Sequence, residues 1–280
     1  MIRVNAVLGK ELTTRMRGWR AAAIITGYLA FLAAVSLAVL SNPNAPQSYA
    51  EAANMGKTLF TWLAGFQMAL IIFVTPASTA DAISGERQRQ TLDLLLATRL
   101  SSLSIVLGKL VAGLAFDVLL ILCSLPLFSL VFLFGGVSPD QFVSMFVVFL
   151  ATTLLLGSMA LFISTVTRRS GAAMVISMLC TLGLTVGLAL LSVYLAVTTA
   201  SNSTNPACGG MPPIPITAYF DPLLGFAAAL PDSAFACSAH VSGGPLNLAL
   251  WQDQVIADLI LSALFIVASV RLLRPHWSSR

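Results

Sequence analysis

The stretch that decides the fold is QFVSMFVVFLATTLLLGSMALFIST, residues 141–165. It runs for 25 residues without a charged side chain. A helix of about 20 predominantly apolar residues crosses the roughly 30 Å hydrocarbon core of a bilayer. The sequence therefore predicts a transmembrane helix over 141–165, because a helix in water would need a polar face.

Five further stretches have the same apolar character: 21–40, 58–79, 110–134, 172–199 and 251–270. The chain of 280 residues is 58% hydrophobic and only 9% charged, whereas a soluble domain carries roughly 25% charged residues. So few charges cannot cover a water-exposed surface. The composition predicts an all-α integral membrane protein with six transmembrane helices, forming one transmembrane domain over 1–280.

Lysine and arginine are distributed unevenly among the connecting segments. With a cytoplasmic N-terminus, the cytoplasmic segments hold Arg3, Lys10, Arg15, Arg17, Arg20, Arg87, Arg89, Arg99, Lys109, Arg168, Arg169, Arg271, Arg274 and Arg280. Lys57 alone falls outside. Because basic residues concentrate in cytoplasmic loops, we expect a multi-pass protein of the cell membrane with both termini in the cytoplasm. Loops facing anionic lipid explain the net charge of +4 without a nucleic-acid partner.

Residues 1–20 precede the first span and carry an apolar repeat. The repeat places apolar side chains at four-residue steps, at Val4, Leu8, Leu12 and Met16. This spacing favours an amphipathic helix lying in the membrane interface. A basic flank that only sets the topology is the alternative.

The long outer loop, 200–250, contains an apolar run over 220–230 that is too short to cross a membrane. We expect a short re-entrant or interfacial helix there. Cys208 and Cys237 share this loop. An extracellular compartment permits disulfides, so a Cys208–Cys237 bridge is a hypothesis that non-reducing peptide mapping tests.

The sequence carries no catalytic signature. Gly108-Lys109-Leu110 lacks the upstream glycine and the hydroxyl of a phosphate-binding loop. The two histidines, His240 and His276, lie outside the spans, 36 positions apart, so a histidine-dependent protease or zinc site has no evident parts. The sequence therefore predicts no catalytic, cofactor-binding or metal-binding residues in this chain.

The long inner loop reads AISGERQRQTLDLLLATRLSSLSIVLGK, residues 82–109. Ser84 or Gly85 can begin a helix with Glu86 in its first turn, where a carboxylate suits the positive end of the helix dipole. Three leucines then share one helical face: Leu92, Leu95 and Leu96. Such a helix either grips lipid or docks a cytoplasmic partner.

This loop resembles the signature of the ABC-2 type transporter permease family, whose members commonly read G-E-[RK]-x-x-G-T-L-x-x-L-L-x-[ST]-P-[LV]-[ST] and later G-K. The matching residues are Gly85, Glu86, Arg87, Thr91, Leu92, Leu95, Leu96, Thr98, Leu100, Ser101, Gly108 and Lys109. The chain departs from the pattern at Gln90, where glycine is usual, and at Arg99, where proline is usual. These departures put the geometry of the helix start and of the following turn in doubt.

The resemblance implies a membrane subunit that moves a substrate outward and has no catalytic activity of its own. A separate ABC ATPase would bind ATP and Mg, in two copies, and a second permease chain would complete a homodimer or heterodimer. The coupling residues that the resemblance implies are Gly85, Glu86, Arg87, Thr91, Leu92, Leu95 and Leu96. They would form a coupling helix that sits in a groove of the ATPase.

Two carboxylates and two glycines inside the predicted spans are further candidates. Asp117 and Asp258 lie within spans, where an ionisable residue is expensive and by default a functional candidate. Each can also serve a structural role by reaching water or an interfacial arginine. Gly183 and Gly187 form a G-x-x-x-G pair, which permits close helix approach within the chain or across a dimer.

Two other functions are compatible with six spans. A secondary transporter would show an internal repeat or interrupted spans with polar groups at mid-membrane, and no convincing repeat is present. A membrane scaffold or assembly factor is the other alternative, because membership of a family does not fix what is moved. A neighbouring gene for an ABC ATPase would separate the permease from both.

The uneven distribution of lysine and arginine predicts the topology. Single cysteines placed beside Arg89, Arg169 and Arg280 should react only with permeant reagents on whole cells, and cysteines beside Pro46 and Pro213 should react with impermeant ones. Labelling of a cysteine beside Arg280 from outside would contradict the six-span topology.

Overall fold

The computed structural model describes residues 19–41, 48–90, 102–200, 215–231 and 248–273. Within these ranges the chain is helical and has no β-strand. Six helices are long and apolar enough to cross a membrane. The prediction of an all-helical membrane protein with six spans is therefore confirmed. Most of the predicted interfacial helix, 1–20, lies outside the described residues.

The helices that form the spans are α1 (Trp19–Leu40), α2 (Tyr49–Thr79), α4 (Ser102–Ser129), α6 (Pro139–Val166), α7 (Ser170–Leu182) continued by a π-helical turn (Gly183–Gly187) and α8 (Leu188–Ala200), and α10 (Leu250–Leu273). The shorter helices are α3 (Ser84–Gln88), α5 (Val131–Phe134), a 3₁₀ helix (Ile216–Phe220) and α9 (Pro222–Ala229). α9 lies where the sequence places a short helix.

Two helices, α2 and α4, start about two turns before the predicted spans, and the other four start within two residues of them. α2 begins at Tyr49, where the Ser48 hydroxyl accepts a hydrogen bond from the backbone N–H of Glu51 at 3.3 Å. α4 begins at Ser102, within the segment expected to be a loop. The predicted spans begin directly after Lys57 and Lys109, because a charged residue ends an apolar run, whereas the helical backbone continues through both lysines.

Successive spans run in opposite directions, so the bundle has two distinct ends. Arg87, Arg168 and Arg169 lie at one end, which we call the arginine-rich end. The α5–α6 turn and α9 lie at the other, which we call the opposite end. Because the described chain crosses six times, Trp19 and Leu273 both lie at the arginine-rich end.

α6 is the most enclosed of the six spans. Along its length it packs against α2, α4, α7, α9 and, most extensively, α10. Phenylalanines fill its contacts towards the opposite end. Phe149 stacks on Phe226 with ring centroids 6.2 Å apart, and Phe146 meets Phe128 edge to face at 5.4 Å. Close aromatic packing of this kind fixes α6 as the centre of the bundle.

The turn between α5 and α6 packs directly on the start of α2. Gly135 and Gly136 have φ angles of 74° and 85°. A Cβ added to Gly136 would lie 2.3 Å from the backbone oxygen of Ala53. The turn ends at Ser138, which caps α6 in a reciprocal pair of hydrogen bonds with Gln141. Glycine is required at 136 by both the backbone angle and the space.

Gly136→Ala should destabilise the protein by about 2 kcal/mol or more, because strain at positive φ and overpacking add together. Thermal unfolding in nanodiscs measures the effect. The control is Gly27→Ala, since nothing lies within 4 Å of a Cβ added at Gly27. Equal unfolding temperatures for the two variants would contradict the tight contact with Ala53.

Candidate functional site

The chain makes a compact turn after α2, at the arginine-rich end, before the short helix α3. Backbone N–H groups of Ala82, Gly85 and Arg87 donate to carbonyl groups three or four residues earlier, at 2.9–3.1 Å. Gly85, Glu86 and Arg87 all belong to α3, with Glu86 in its first turn. This is the position in which a carboxylate meets the positive end of the helix dipole.

The start of α3 is capped by a side chain from another span. Ser164 Oγ, on α6, accepts hydrogen bonds from the backbone N–H groups of Ile83 at 3.1 Å and Ser84 at 3.0 Å. Ser164 and Ser84 are completely buried. The first N–H groups of a helix have no partner within the helix. Ser164 of α6 therefore accepts the hydrogen bonds that a capping residue next to the helix in the sequence usually accepts.

An ion pair joins α3 to α4. Lys109 Nζ lies 3.2 Å from Glu86 Oε1, with the lysine side chain 3% exposed and the glutamate side chain 31% exposed. An almost buried ammonium group requires a partner, because isolated charges are costly away from water. The Glu86 carboxylate therefore holds α3 against the first turns of α4.

Two further contacts join α3 to the turn between α6 and α7. Arg87 Nη1 donates to the carbonyl oxygen of Thr167 at 3.4 Å. Gln88 Oε1 accepts from the hydroxyl of Ser170 at 2.7 Å and from its backbone N–H at 3.4 Å. Successive residues of one helix thus contact three neighbouring spans.

Apolar packing supports the turn from within the bundle. A separate buried cluster contains Ala82, Ile83, Val106, Leu110, Leu114, Leu161, Val270 and Leu273. These residues come from the turn, α4, α6 and α10. The turn before α3 is consequently fixed by apolar contacts in addition to its polar ones.

α3 ends before Leu92, Leu95 and Leu96, the three leucines predicted to share one helical face, which we call the leucine ridge. The helix stops at Gln88, and Gln90 has a φ angle of 58°. This left-handed conformation interrupts an α-helix and favours glycine. The expectation of one continuous helix from Ser84 to the leucines is therefore wrong. Gln90 stands at the position where the resembling family has glycine, which fits the backbone seen there.

The remaining predicted coupling residues, Thr91, Leu92, Leu95 and Leu96, lie outside the described residues, as do Cys208 and Cys237. The roles predicted for them stay predictions. The described part of the candidate site is therefore α3 with its contacts to α4, α6 and α7.

Asp117 lies deeper in the bundle than the sequence suggests. Because α4 begins at Ser102, Asp117 is about 22 Å along the helix by its rise. The side chain is completely buried and accepts a hydrogen bond from Ser78 Oγ at 3.2 Å. The sequence allowed Asp117 to reach bulk water, but its burial excludes that contact. The hydrogen bond from Ser78 joins Asp117 to α2.

Asp258 is also completely buried, on the face of α10 that meets α6. Its Oδ2 accepts from Gln254 Nε2 at 2.7 Å and from Thr152 Oγ1 at 3.5 Å. Asp258, like Asp117, does not reach water, although the sequence allowed a structural carboxylate near the end of a span to do so. Asp117 and Asp258 belong to separate polar contacts, and neither is part of the α3 site.

Gly183 and Gly187 lie within the π-helical turn of the fifth span. An added Cβ at either would meet nothing within 4 Å. The pair therefore makes no close contact with another described helix, and its predicted role in helix packing stays a prediction. The π-helical turn widens the helix locally and leaves both glycines on the surface.

Ser164, Thr167 and Ser170 were not anticipated from the sequence. Each lies about 80 positions from its partner in α3, and isolated serines and threonines in an apolar span carry no motif. Lys109 could be singled out from the sequence, because it is the lysine of the Gly-Lys pair at the end of the family pattern.

A bundle of six apolar helices with a structured polar turn at one end defines a polytopic membrane protein. The sequence model described as ABC-2 family transporter protein matches residues 5–273. The chain therefore belongs to this family and is a permease of the ABC transporter class, a membrane transport component that is not itself catalytic. A comparison with curated proteins returned no match.

The ion pair makes a testable contribution to stability. Glu86→Ala should destabilise the protein by about 2 kcal/mol, because it leaves the buried Lys109 charge unpaired. This loss is smaller than that for a fully buried ion pair, because the Glu86 side chain is partly exposed. The double variant Glu86→Ala/Lys109→Met should recover most of this loss. Thermal unfolding in nanodiscs measures both.

Arg89→Ala is the matched control, since Arg89 is an exposed charge one residue beyond α3. It should change the stability by less than about 0.5 kcal/mol. Strictly additive losses for Glu86→Ala and Lys109→Met would contradict the energetic coupling of the pair.

Proposed function

We propose that this chain is the membrane-spanning subunit of an ABC exporter, in which a separate ATPase subunit drives outward transport. ATP and Mg would bind to that ATPase. The observation that carries the proposal is the attachment of α3 to three spans. The permease class supports the ATPase partner, because ABC-2 family permeases generally work with an ABC ATPase.

The contacts of α3 suit a coupling element. An ATPase that pushes on the loop would move Glu86, and through it Lys109 on α4. The same movement would act on α6 through Ser164 and on α7 through Ser170. Because these contacts join α3 to three spans at 2.7–3.4 Å, a displacement of the loop would act on all three spans.

Different parts of the loop would have different tasks. Glu86 is engaged with Lys109, so its task is to pass movement into the bundle. The leucines Leu92, Leu95 and Leu96, with Thr91, would contact the ATPase groove. Gly85 fits this division, because a Cβ added there would meet only Asp81, at 3.9 Å, which leaves room for a partner to approach.

The complete transporter would contain two copies of the ATPase and a second permease chain. α1 and the fifth span have few residues buried within the bundle: only 17% of the most apolar 18-residue stretch of each is buried. The open side of Gly183 and Gly187 lies on the fifth span. These surfaces are available to lipid or to the second permease.

The arginine-rich end would face the cytoplasm, with both chain termini on that side of the cell membrane. The positive-inside rule supports this orientation. α3 would then meet the ATPase in the cytoplasm. α9 would lie at the outer end, where substrate leaves.

Co-expression with ABC ATPases encoded near this chain tests the proposal. We expect an ATPase to co-purify with the wild-type chain and to be lost with Leu95→Asp, because a charge on an apolar ridge disrupts docking. Glu86→Ala should retain the ATPase and reduce ATP-driven transport about tenfold, equivalent to about 1.4 kcal/mol of lost coupling.

Leu95→Met is the matched control and should preserve both co-purification and transport. Membrane expression of every variant must equal that of the wild type. Full transport in the combined variant Glu86→Ala/Leu95→Asp would show that this loop does not couple the ATPase to the spans.

A further inference from the structure

At the opposite end, α9 lies directly against α10. A Cβ added to Gly225 would lie 1.9 Å from Gln254 Oε1 and 2.3 Å from Gln254 Cδ. Gln254 is itself completely buried. The glutamine side chain therefore occupies the space that only glycine leaves free on α9, and it determines how closely the two helices approach.

Each helix carries a carboxyl group one turn from this contact. Asp221 precedes α9, and its Oδ1 accepts from the backbone N–H of Leu223 at 2.9 Å. Asp258 follows Gln254 by one turn and accepts its amide hydrogen. Both carboxyl groups are completely buried, and Gln254 lies between the helices that carry them, against Gly225 of α9 and hydrogen-bonded to Asp258.

Hydrogen-bond acceptors outnumber donors at this contact. Three buried oxygen atoms have no hydrogen-bond partner: Asp221 Oδ2, Asp258 Oδ1 and Gln254 Oε1. Buried polar atoms are normally paired, and the unpaired atoms here are all acceptors. A positively charged or hydrogen-donating species is therefore what the arrangement lacks.

The surrounding helices supply no described basic side chain to fill this role. The described titratable groups on the elements packed against α9 and α10 are Tyr219, Asp140, Lys109, Asp117 and Cys123. α10 itself carries Asp253 and Arg271 in addition to Asp258. Asp140 is exposed at the start of α6. Lys109 and Arg271 lie towards the arginine-rich end, where Lys109 pairs with Glu86.

We propose that Asp221 and Asp258 form a proton-binding site, and that the bound proton fastens α9 to α10. A proton neutralises one of two opposed buried carboxylates and supplies one of the missing donors. Two carboxylates sharing a site cannot both ionise without strong repulsion. The inference concerns the opposite end alone and does not require an ATPase.

A proton fits this contact better than a metal ion. Hard divalent cations take at least about six oxygen ligands. The described residues contain no group of three histidine, cysteine, aspartate or glutamate side chains placed to hold a metal. Two carboxyl oxygens and one amide oxygen satisfy a proton and leave a metal incompletely coordinated.

The burial of Asp221 gives the direction of the pH effect. Burial raises the pKa of Asp221 from 3.8 to about 6, against the opposing effect of hydrogen bonds from the backbone N–H groups of Leu223 and Leu224. The docked helix binds the proton more tightly than the released one. Docking of α9 on α10 is therefore strongest below pH 4 and weakens as the pH rises to about 6. Above pH 6, the titration of Asp221 changes the docking no further.

The full-length chain in nanodiscs provides the test. Infrared titration should reveal the C=O stretch of a buried protonated carboxyl group, and this band should be lost in Asp221→Asn or Asp258→Asn. Hydrogen exchange of residues 222–229, corrected for intrinsic rates, should show protection falling by up to about a hundredfold between pH 4 and pH 6, since each pH unit between the two pKa values changes docking tenfold.

Asp221→Asn should keep α9 protected at every pH, because asparagine also caps a helix and cannot ionise. Asp140→Asn, at an exposed aspartate, is the matched control and should behave as the wild type. The proposal is overturned if neither substitution removes the carboxyl band, if protection of 222–229 in the wild type does not depend on pH, or if sodium replaces the proton in changing the band at fixed pH.

Discussion

The enclosure of α6 by the other spans is the constraint on which both polar sites depend. Polar side chains in a buried apolar helix commonly bond to a carbonyl of their own helix, as Thr153 does with Phe149. Ser164 and Thr152 instead bond across to other elements. Because α6 is in contact with nearly every other span, these two residues can hold α3 at one end and the α10 carboxyl group nearer the other.

The two sites differ in how charge is balanced. At the arginine-rich end, the Glu86 carboxylate has a lysine partner, and the pair stays partly open to water. At the opposite end, Asp221 and Asp258 accept hydrogen bonds from neutral donors: the backbone N–H of Leu223 for Asp221, and Gln254 and Thr152 for Asp258. A carboxylate and an ammonium group attract one another without an added proton, whereas two buried carboxyl groups repel one another unless at least one of them is protonated. The first arrangement suits transmission of force and the second suits a contact that opens.

The sequence predicts the span count well and the connections poorly, for physical reasons. Apolar length identifies lipid-facing helix directly, and six such runs exist. The polar residues from Tyr49 to Lys57 are helical although not apolar, so hydropathy does not detect them. Helix propensity gives no warning of the positive φ at Gln90, because glutamine is a good helix former; only the glycine usual at this position in the resembling family points to it. The capping role of Ser164 could not be predicted, because its partners lie some 80 positions away in the sequence.

The distribution of weak points suggests which helices move. α2 and α4 contain Pro76 and Pro126, each of which removes a backbone hydrogen bond, and the fifth span contains the π-helical turn 183–187. α6 has proline only at its start, and α10 has none. These two helices also share the most extensive helix contact. Thr152 and Ser164 are separated by about 18 Å of uninterrupted helix. A displacement of α3 would therefore bend α2, α4 and the fifth span at their weak points, while α6 and α10 shift together as one rigid pair and carry the Asp258 side of the α9 contact with them.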